Sequence, residues 1–401
     1  MPRTERTALT VLGICFVLAA LGGGGNATFP VFLLPISTTF GFDRAEVVSI
    51  YALASLSSGL ALPFVGRLYD AFGPRAVYGL GLLLLAASFS IAAFAQSLWE
   101  LQLFNGVARG LAGACLGNVA SALLLGRWFG PRLPTAMSIV FAASGAGTLV
   151  WLPLSQVLID AYGWRGAYQV FGAVLLLLVI PVLVLPWRRF AAGSEAVQPV
   201  RSAGMAENWT LATAMRHRAF WALFATYFFT AVGMFCVSVQ VVAYLVEAGF
   251  PPLQAATAWG FSGVLLVVGM VSVSLLDGLL GRQGAILLAY GFSVAGIAML
   301  WLLSVFPNYW LLTGFIVCFG STIGSRGPLI AATAMNIFGG KRVGTILGAI
   351  TLGSGLGAAI GSWSGGLIHD WSGSYDPMMA FALVNVLLGM APFLAVPELR
   401  R

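Results

Sequence analysis

Twelve stretches of about twenty apolar residues each, parted by short polar segments, set the terms on which this chain can fold. Six lie near 8–37, 46–68, 76–96, 99–126, 134–158 and 165–187; six more lie near 217–246, 254–276, 284–304, 308–336, 343–368 and 376–397. Of the 401 residues 59% are hydrophobic and only 8% are charged, against about 25% charged in an ordinary soluble chain. A water-soluble domain of this length has no interior large enough to hide that much apolar surface. The solvent for most of the chain is therefore lipid, and the expected fold is an all-α membrane protein of twelve transmembrane helices.

The net charge of +7 would suit a nucleic-acid partner, but the placement of the charges argues otherwise. With the N-terminus put in the cytoplasm, all but four of the twenty basic residues fall on that side. They are Arg3, Arg6, Arg67, Arg75, Arg127, Arg132, Arg188, Arg189, Arg201, Arg216, Arg218, Arg282, Lys341, Arg342, Arg400 and Arg401. Arg44 and Arg165 fall outside, while Arg109 and Arg326 lie within spans. This is the positive-inside asymmetry, so the expectation is a multi-pass protein of the cytoplasmic membrane, both termini cytoplasmic, with no nucleic-acid partner. The first apolar run lacks a small-residue cleavage site followed by a polar region, so it reads as a retained span. Cys15, Cys115, Cys236 and Cys318 fall inside apolar runs without metal-ligand spacing and read as small core residues. Nothing in the pattern calls for a metal or a cofactor.

The polar segment 188–216 divides the chain into an N-terminal half, 1–187, and a C-terminal half, 217–401. The halves resemble each other at a constant offset of 210: Thr135 matches Thr345, Ser144 matches Ser354, and Gly145 and Gly147 match Gly355 and Gly357. Asp160 matches Asp370 and Gly163 matches Gly373. A looser echo pairs "GRLYDAFGPR" (66–75) with "SLLDGLLGR" (274–282). Two six-helix halves in parallel repeat are a transporter architecture, with the substrate site between repeats near the midplane. Glycines three or four residues apart (Gly110, Gly113, Gly117; Gly353, Gly357, Gly361) are the small-residue spacing by which helices approach closely in lipid.

In "GRLYDAFGPR", Gly66, Asp70, Gly73 and Arg75 stand where the G-x-x-x-D-x-x-G-x-R/K loop of the major facilitator superfamily has its defining residues, and the sequence resembles that family over essentially its whole length. The resemblance implies that Asp70 holds the halves together on the cytoplasmic side, near Gly344 and Thr345 at the start of span eleven. Asp277, followed by Arg282, would mirror it at the start of span five, where Pro134 suits a first helical position. The run "RWFGPRLPTAMS" with "SGAG" (144–147), and "GWRGAY" at 163–168, resemble the monocarboxylate-transporter branch and its bacterial oxalate/formate relatives, which implies a small organic anion as substrate. Three of that branch's marks are absent: the acidic-glycine-aromatic opening of span one, the charged pair of span eight, and the lysine of span eleven.

The resemblance also implies that spans one, four, seven and ten line the cavity, and two arginines lie deep in two of these: Arg109 in span four and Arg326 in span ten. No Asp or Glu occupies the middle of any span, so neither guanidinium has an evident carboxylate partner. A bound anion would supply the counter-charge. The competing reading of Arg326 is that it bonds carbonyls freed beside Gly327 and Pro328; for Arg109 it is packing and coupling. Asn26, Asn118, Tyr227, Gln240 and Tyr244 are further polar groups on cavity-lining spans, each able to bind a carboxylate or to bond a neighbouring helix. Trp151, Trp259 and Tyr290 read as packing residues, Trp301 and Trp310 as belt residues. His217 and His369 sit at span ends, too far out for a midplane proton relay.

An intramembrane enzyme would need a nucleophile with its base, or clustered metal ligands, inside the spans, and neither is present. The reading is a monomeric secondary transporter that moves a small organic anion, a mono- or dicarboxylate, by alternating access. A proton or a counter-anion is the candidate co-substrate. The alternative is an exporter of a drug-like or other non-anionic small molecule.

Overall fold

The structure, a computed structural model of the chain, describes residues 3–193, 209–338 and 343–399. Arg201, Lys341, Arg342, Arg400, Arg401 and the middle of segment 188–216 lie outside the described residues, as do the side chains of Arg3, Pro134 and Pro328. The described residues form helices and no strand, as lipid requires of a chain that does not close a barrel, because a helix satisfies its own backbone groups.

The twelve expected spans are present, but they do not correspond one to one with helices. Spans two and three form one element, Arg44–Ala92; five and six form Leu133–Val184; eight and nine form Pro252–Leu302. Each is interrupted at a single glycine: Gly73 (φ 75°, ψ 179°), Gly163 (φ 69°, ψ 170°) and Gly281 (φ 71°, ψ 164°). That region of backbone space is closed to residues with a Cβ, so one glycine suffices to reverse the chain without a loop. Each of these glycines follows an aspartate by three or four residues (Asp70, Asp160, Asp277), and Gly373 (φ 65°) follows Asp370 in the same way. The repeated Asp–Gly pairs are thus the repeated hairpin turns.

The unpaired spans are seven, Arg218–Glu247; eleven, Val343–Ser372; and twelve, Asp376–Ala395. Spans one, four and ten are broken. Span one runs as Arg3–Ala27 and Phe29–Phe40. Span four, Leu98–Phe129, contains a π-helical stretch, Gln102–Ala108, and a break at Gly117. Span ten is Tyr309–Gly320 and Gly327–Ile337, with a non-helical turn between.

Contacts divide the chain into two compact units, Met1–Phe42 with Ser49–Val200, and Asp43–Val48 with Arg201–Arg401. Within the first, a Cβ on Gly110 would overlap the Ala54 carbonyl oxygen, so span four packs against span two backbone to backbone. Within the second, Cβ atoms on Gly357 and Gly361 would overlap span-seven carbonyl oxygens, those of Phe228 and Val232. The small-residue stripe of span eleven is therefore the face laid on span seven. Cys15, Cys115 and Cys236 are buried, and all four cysteines are free thiols.

Gly163→Ala forces a side chain into left-handed backbone space and is expected to destabilise the protein by about 1–3 kcal/mol. Gly66→Ala, in mid-helix with nothing within 4 Å of the added carbon, is expected to be neutral or slightly stabilising. Thermal unfolding of the detergent-purified variants checks both.

Candidate functional site

Span ten comes apart where its sequence, "GSTIGSRGP", is poorest in helix-forming residues. Glycines weaken the helix, and Ser and Thr hydroxyls bond local carbonyls: Thr322 Oγ1 donates to the Phe319 carbonyl at 2.9 Å, and Ser325 Oγ to that of Thr322 at 3.3 Å. Pro328 has no N–H to give to a preceding turn. Arg326 is the N-cap of the second half-helix, without a side-chain cap bond, and only 3% of it is exposed.

Its partners come from span nine. Nη2 donates to the Ala289 carbonyl at 2.9 Å and to Ser293 Oγ, and the guanidinium carbon stands 4.2 Å from the centre of the Tyr290 ring. Ser293 Oγ donates in turn to Thr322 Oγ1 at 2.7 Å, tying span nine to the unwound turn. The Tyr290 hydroxyl donates to the Gly389 carbonyl at 2.9 Å and lies 2.6 Å from Thr230 Oγ1. The carbonyl of Gly327, a sequence candidate for Arg326, is instead taken by Tyr227, whose hydroxyl donates to it at 3.1 Å. Arg326 Nε has no hydrogen-bond partner among the described residues. The site is a buried cation on an aromatic face, ringed by neutral oxygens, at the amino end of a helix.

Arg109 is held differently. It follows the π-helical stretch, and Nη1 donates to Asn105 Oδ1 at 2.8 Å. Nη2 donates to the carbonyls of Gly25 (2.9 Å) and Asn26 (2.6 Å), with Thr28 Oγ1 at 3.5 Å. The Asn26 carbonyl is the one that position 30 would normally bond, and Pro30 has no N–H. Arg109 therefore closes the break in span one, four neutral acceptors holding it at 1% exposure. These contacts are the kind the packing alternative calls for. Asn26 joins this cluster through its backbone; its side-chain Nδ2 lies over Gly113, 2.5 Å from where a Cβ would stand.

Taken unit by unit, the candidate binding residues fall into separate groups. Tyr227 joins Arg326, and Asn26 joins Arg109. Gln240 and Tyr244 belong to a third cluster at the other end of span seven. There Arg44 pairs with Glu247, donates to the Tyr375 hydroxyl, and reaches Gln240 Oε1 at 3.4 Å. Asp370 accepts from the backbone N–H groups of Arg44 (3.2 Å) and Ala45 (2.7 Å), capping the helix that begins there. Tyr244 donates to the Leu300 carbonyl at 2.6 Å and packs edge-on against Tyr375. Burial pushes the Tyr375 hydroxyl up, so it is a neutral phenol at physiological pH. Asn118 is exposed at the start of the last segment of span four.

Among the motif residues, Gly73 makes the turn, Asp70 and Arg75 are exposed, and Gly66 and Asp277 are half-buried and helical. Arg282 lines a cleft with Asn336 and Glu398. Arg218 donates to Glu398 at 3.0 Å and holds its carboxyl below the usual carboxylate range. Sequence reasoning missed Ser293 and Thr322 and read Tyr290 as packing alone. The signal was the i, i+3 spacing of Tyr290 and Ser293, which puts both on one face of span nine.

Arg109→Gln leaves the Gly25 and Asn26 carbonyls short of a donor and is expected to destabilise the protein by about 1–3 kcal/mol. A melting temperature equal to that of the parent would contradict this structural role.

The model of the Major Facilitator Superfamily matches residues 12–362. Monocarboxylate transporter 3 of Rattus norvegicus is 30% identical over 96% of this chain and 79% of its own length. Monocarboxylate transporter 13 of Bos taurus is 26% identical over 96% and 88%, and the MFS-type transporter YcxA of Bacillus subtilis is 23% identical over 98% and 97%. Among solved structures, that of a mutant of the nucleoside transporter NupG superposes with a TM-score of 0.78 over 98% of this chain and all of its own, at 11% identity, a likeness of fold. Twelve spans, glycine-turned hairpins and full-length relatives agree: the chain belongs to the major facilitator superfamily, a multi-pass membrane transporter with monocarboxylate-transporter likeness.

Proposed function

We propose that this transporter carries a small organic anion, a mono- or dicarboxylate, by alternating access, and that Arg326 binds it. The observation that carries the reading is a buried guanidinium whose partners in this structure are all neutral and whose Nε–H points at no acceptor among the described residues. A buried cation without a counter-charge costs several kcal/mol. A carboxylate set across Nε and a terminal nitrogen would remove that penalty with two parallel charge-assisted bonds, and the positive end of the Gly327–Ile337 helix would add to it. Arg109 shares the unpartnered Nε but differs in its terminal nitrogens, both of which already have acceptors: Asn105 Oδ1 for Nη1 and the carbonyls of span one for Nη2. The names of the relatives, monocarboxylate transporters among them, support the same class of substrate.

The segments 1–187 and 217–401, joined by 188–216, are the moving halves in this reading. Asp70, Gly73, Arg75, Asp277 and Arg282 belong to their gates. The arginine distribution supports a cytoplasmic-membrane location with cytoplasmic termini, and a monomer is sufficient. Among the described residues no carboxylate stands with the partners of Arg326, so coupling falls to a counter-anion or to a proton carried with the substrate.

Arg326→Gln is expected to leave the protein folded and to weaken carboxylate binding about a hundredfold, the equivalent of ~3 kcal/mol for two charge-assisted bonds. Uptake of labelled monocarboxylates and dicarboxylates into proteoliposomes, beside carboxylate-induced thermal stabilisation, reads both effects. Arg326→Lys, which keeps the charge but not the fork, is expected to fall between. Parental uptake by the glutamine variant would sink the assignment.

A further inference from the structure

A cleft of about 640 Å³ opens in the first unit where the beginning of span three meets the end of span six. Its walls are Phe72, Pro74, Leu185 and Trp187, and its rim carries Arg75, Arg188 and Arg189. The wall is rigid: Trp187 is buried, its indole N–H donates to the Val182 carbonyl at 2.6 Å, and its ring stacks on Tyr78 at 5.6 Å. Arg189 reaches span one, Nη2 donating to Thr7 Oγ1 at 3.0 Å. Among the described residues none of the three rim arginines has a carboxylate partner. The same end of the unit also bears Arg6, Arg67, Arg127 and Arg132, against two acids, Glu5 and Asp70. Beside the rim, Phe72 presents a side chain that is 70% exposed.

We propose that this cleft binds the headgroup of an anionic phospholipid. Three guanidiniums around one opening match a phosphodiester, each able to donate in pairs to phosphate oxygens. Basic pockets between spans are where anionic lipid headgroups bind. The apolar residues decide between a lipid and a free phosphate. Phe72 and Leu185 stand where the acyl chains of a bound lipid would leave the cleft, whereas a soluble anion gains nothing from them. The headgroup would bridge the Gly73 turn to the end of span six, so its binding would stiffen the hairpin of spans two and three.

The test is thermal unfolding of detergent-purified full-length protein with phosphatidylglycerol, phosphatidylcholine or sn-glycerol 3-phosphate added. Phosphatidylglycerol is expected to raise the midpoint by a few degrees and the other two not at all. The variant R75Q/R188Q/R189Q is expected to lose that rise, and R6Q/R67Q/R132Q, with the same loss of charge at the same end, to keep it. An equal rise with phosphatidylcholine, a rise with glycerol phosphate alone, or loss of the effect in both triple variants would overturn the site. Should the first variant fail to fold, a photoactivatable phosphatidylglycerol on the parent protein decides: labelling of the peptides holding Phe72 or Leu185 supports the proposal, and labelling elsewhere refutes it.

Discussion

Every backbone N–H and carbonyl inside the hydrocarbon must find a partner within the protein, and the rest of this structure follows from that constraint. Unbroken helices meet it by themselves. Where the helix is interrupted in spans one and ten, a side chain from another span takes over, and the two intramembrane arginines are found at these interruptions. Arg109 closes the gap that Pro30 leaves in span one. In span ten the Gly327 carbonyl goes to Tyr227, and Arg326 is held against span nine. Charge in the membrane is therefore tied here to irregular backbone.

The difference between the two arginines lies in what their neighbours leave over. Arg109 is surrounded by four neutral acceptors, one of them the Asn26 carbonyl that a proline has freed. Arg326 has acceptors for one terminal nitrogen, an aromatic face, and a helix amino end beside it. Both are buried cations with neutral surroundings, and each has an Nε without a partner among the described residues, but Arg109 has acceptors on both terminal nitrogens and Arg326 on Nη2 alone. A carboxylate that bonds there would offset the burial penalty of the guanidinium, and that is the physical content of placing transport chemistry on span ten.

Much of the fold was legible because lipid imposes one dominant rule. Apolar runs mark spans, and the Asp–Gly repeats mark the hairpin turns, since only glycine accepts the backbone angles at positions 73, 163, 281 and 373. The site was legible in part. Arg326 stood out as an expensive charge, and the loss of helix around it could be suspected from its glycines and proline. Its partners could not be read: Ala289, Tyr290 and Ser293 lie some thirty-five residues away on span nine, and nothing local distinguishes Tyr290 from a packing aromatic. Gln240 and Tyr244 read as candidates because they are polar on a cavity-lining span. The structure puts them in the cluster of Arg44 and Tyr375, far along that helix from Tyr227.

The sequence by itself determined the solvent, the number of spans, the turns and the presence of two costly cations, because hydropathy and glycine stereochemistry act over a few residues. Only the tertiary structure decided which cation has acceptors on both terminal nitrogens and which has them on one. Hydrogen bonds between spans depend on the rotation and depth of each helix against its neighbours. Those are set by packing contacts such as Gly357 on Phe228 and Gly110 on Ala54, which join residues far apart in the chain.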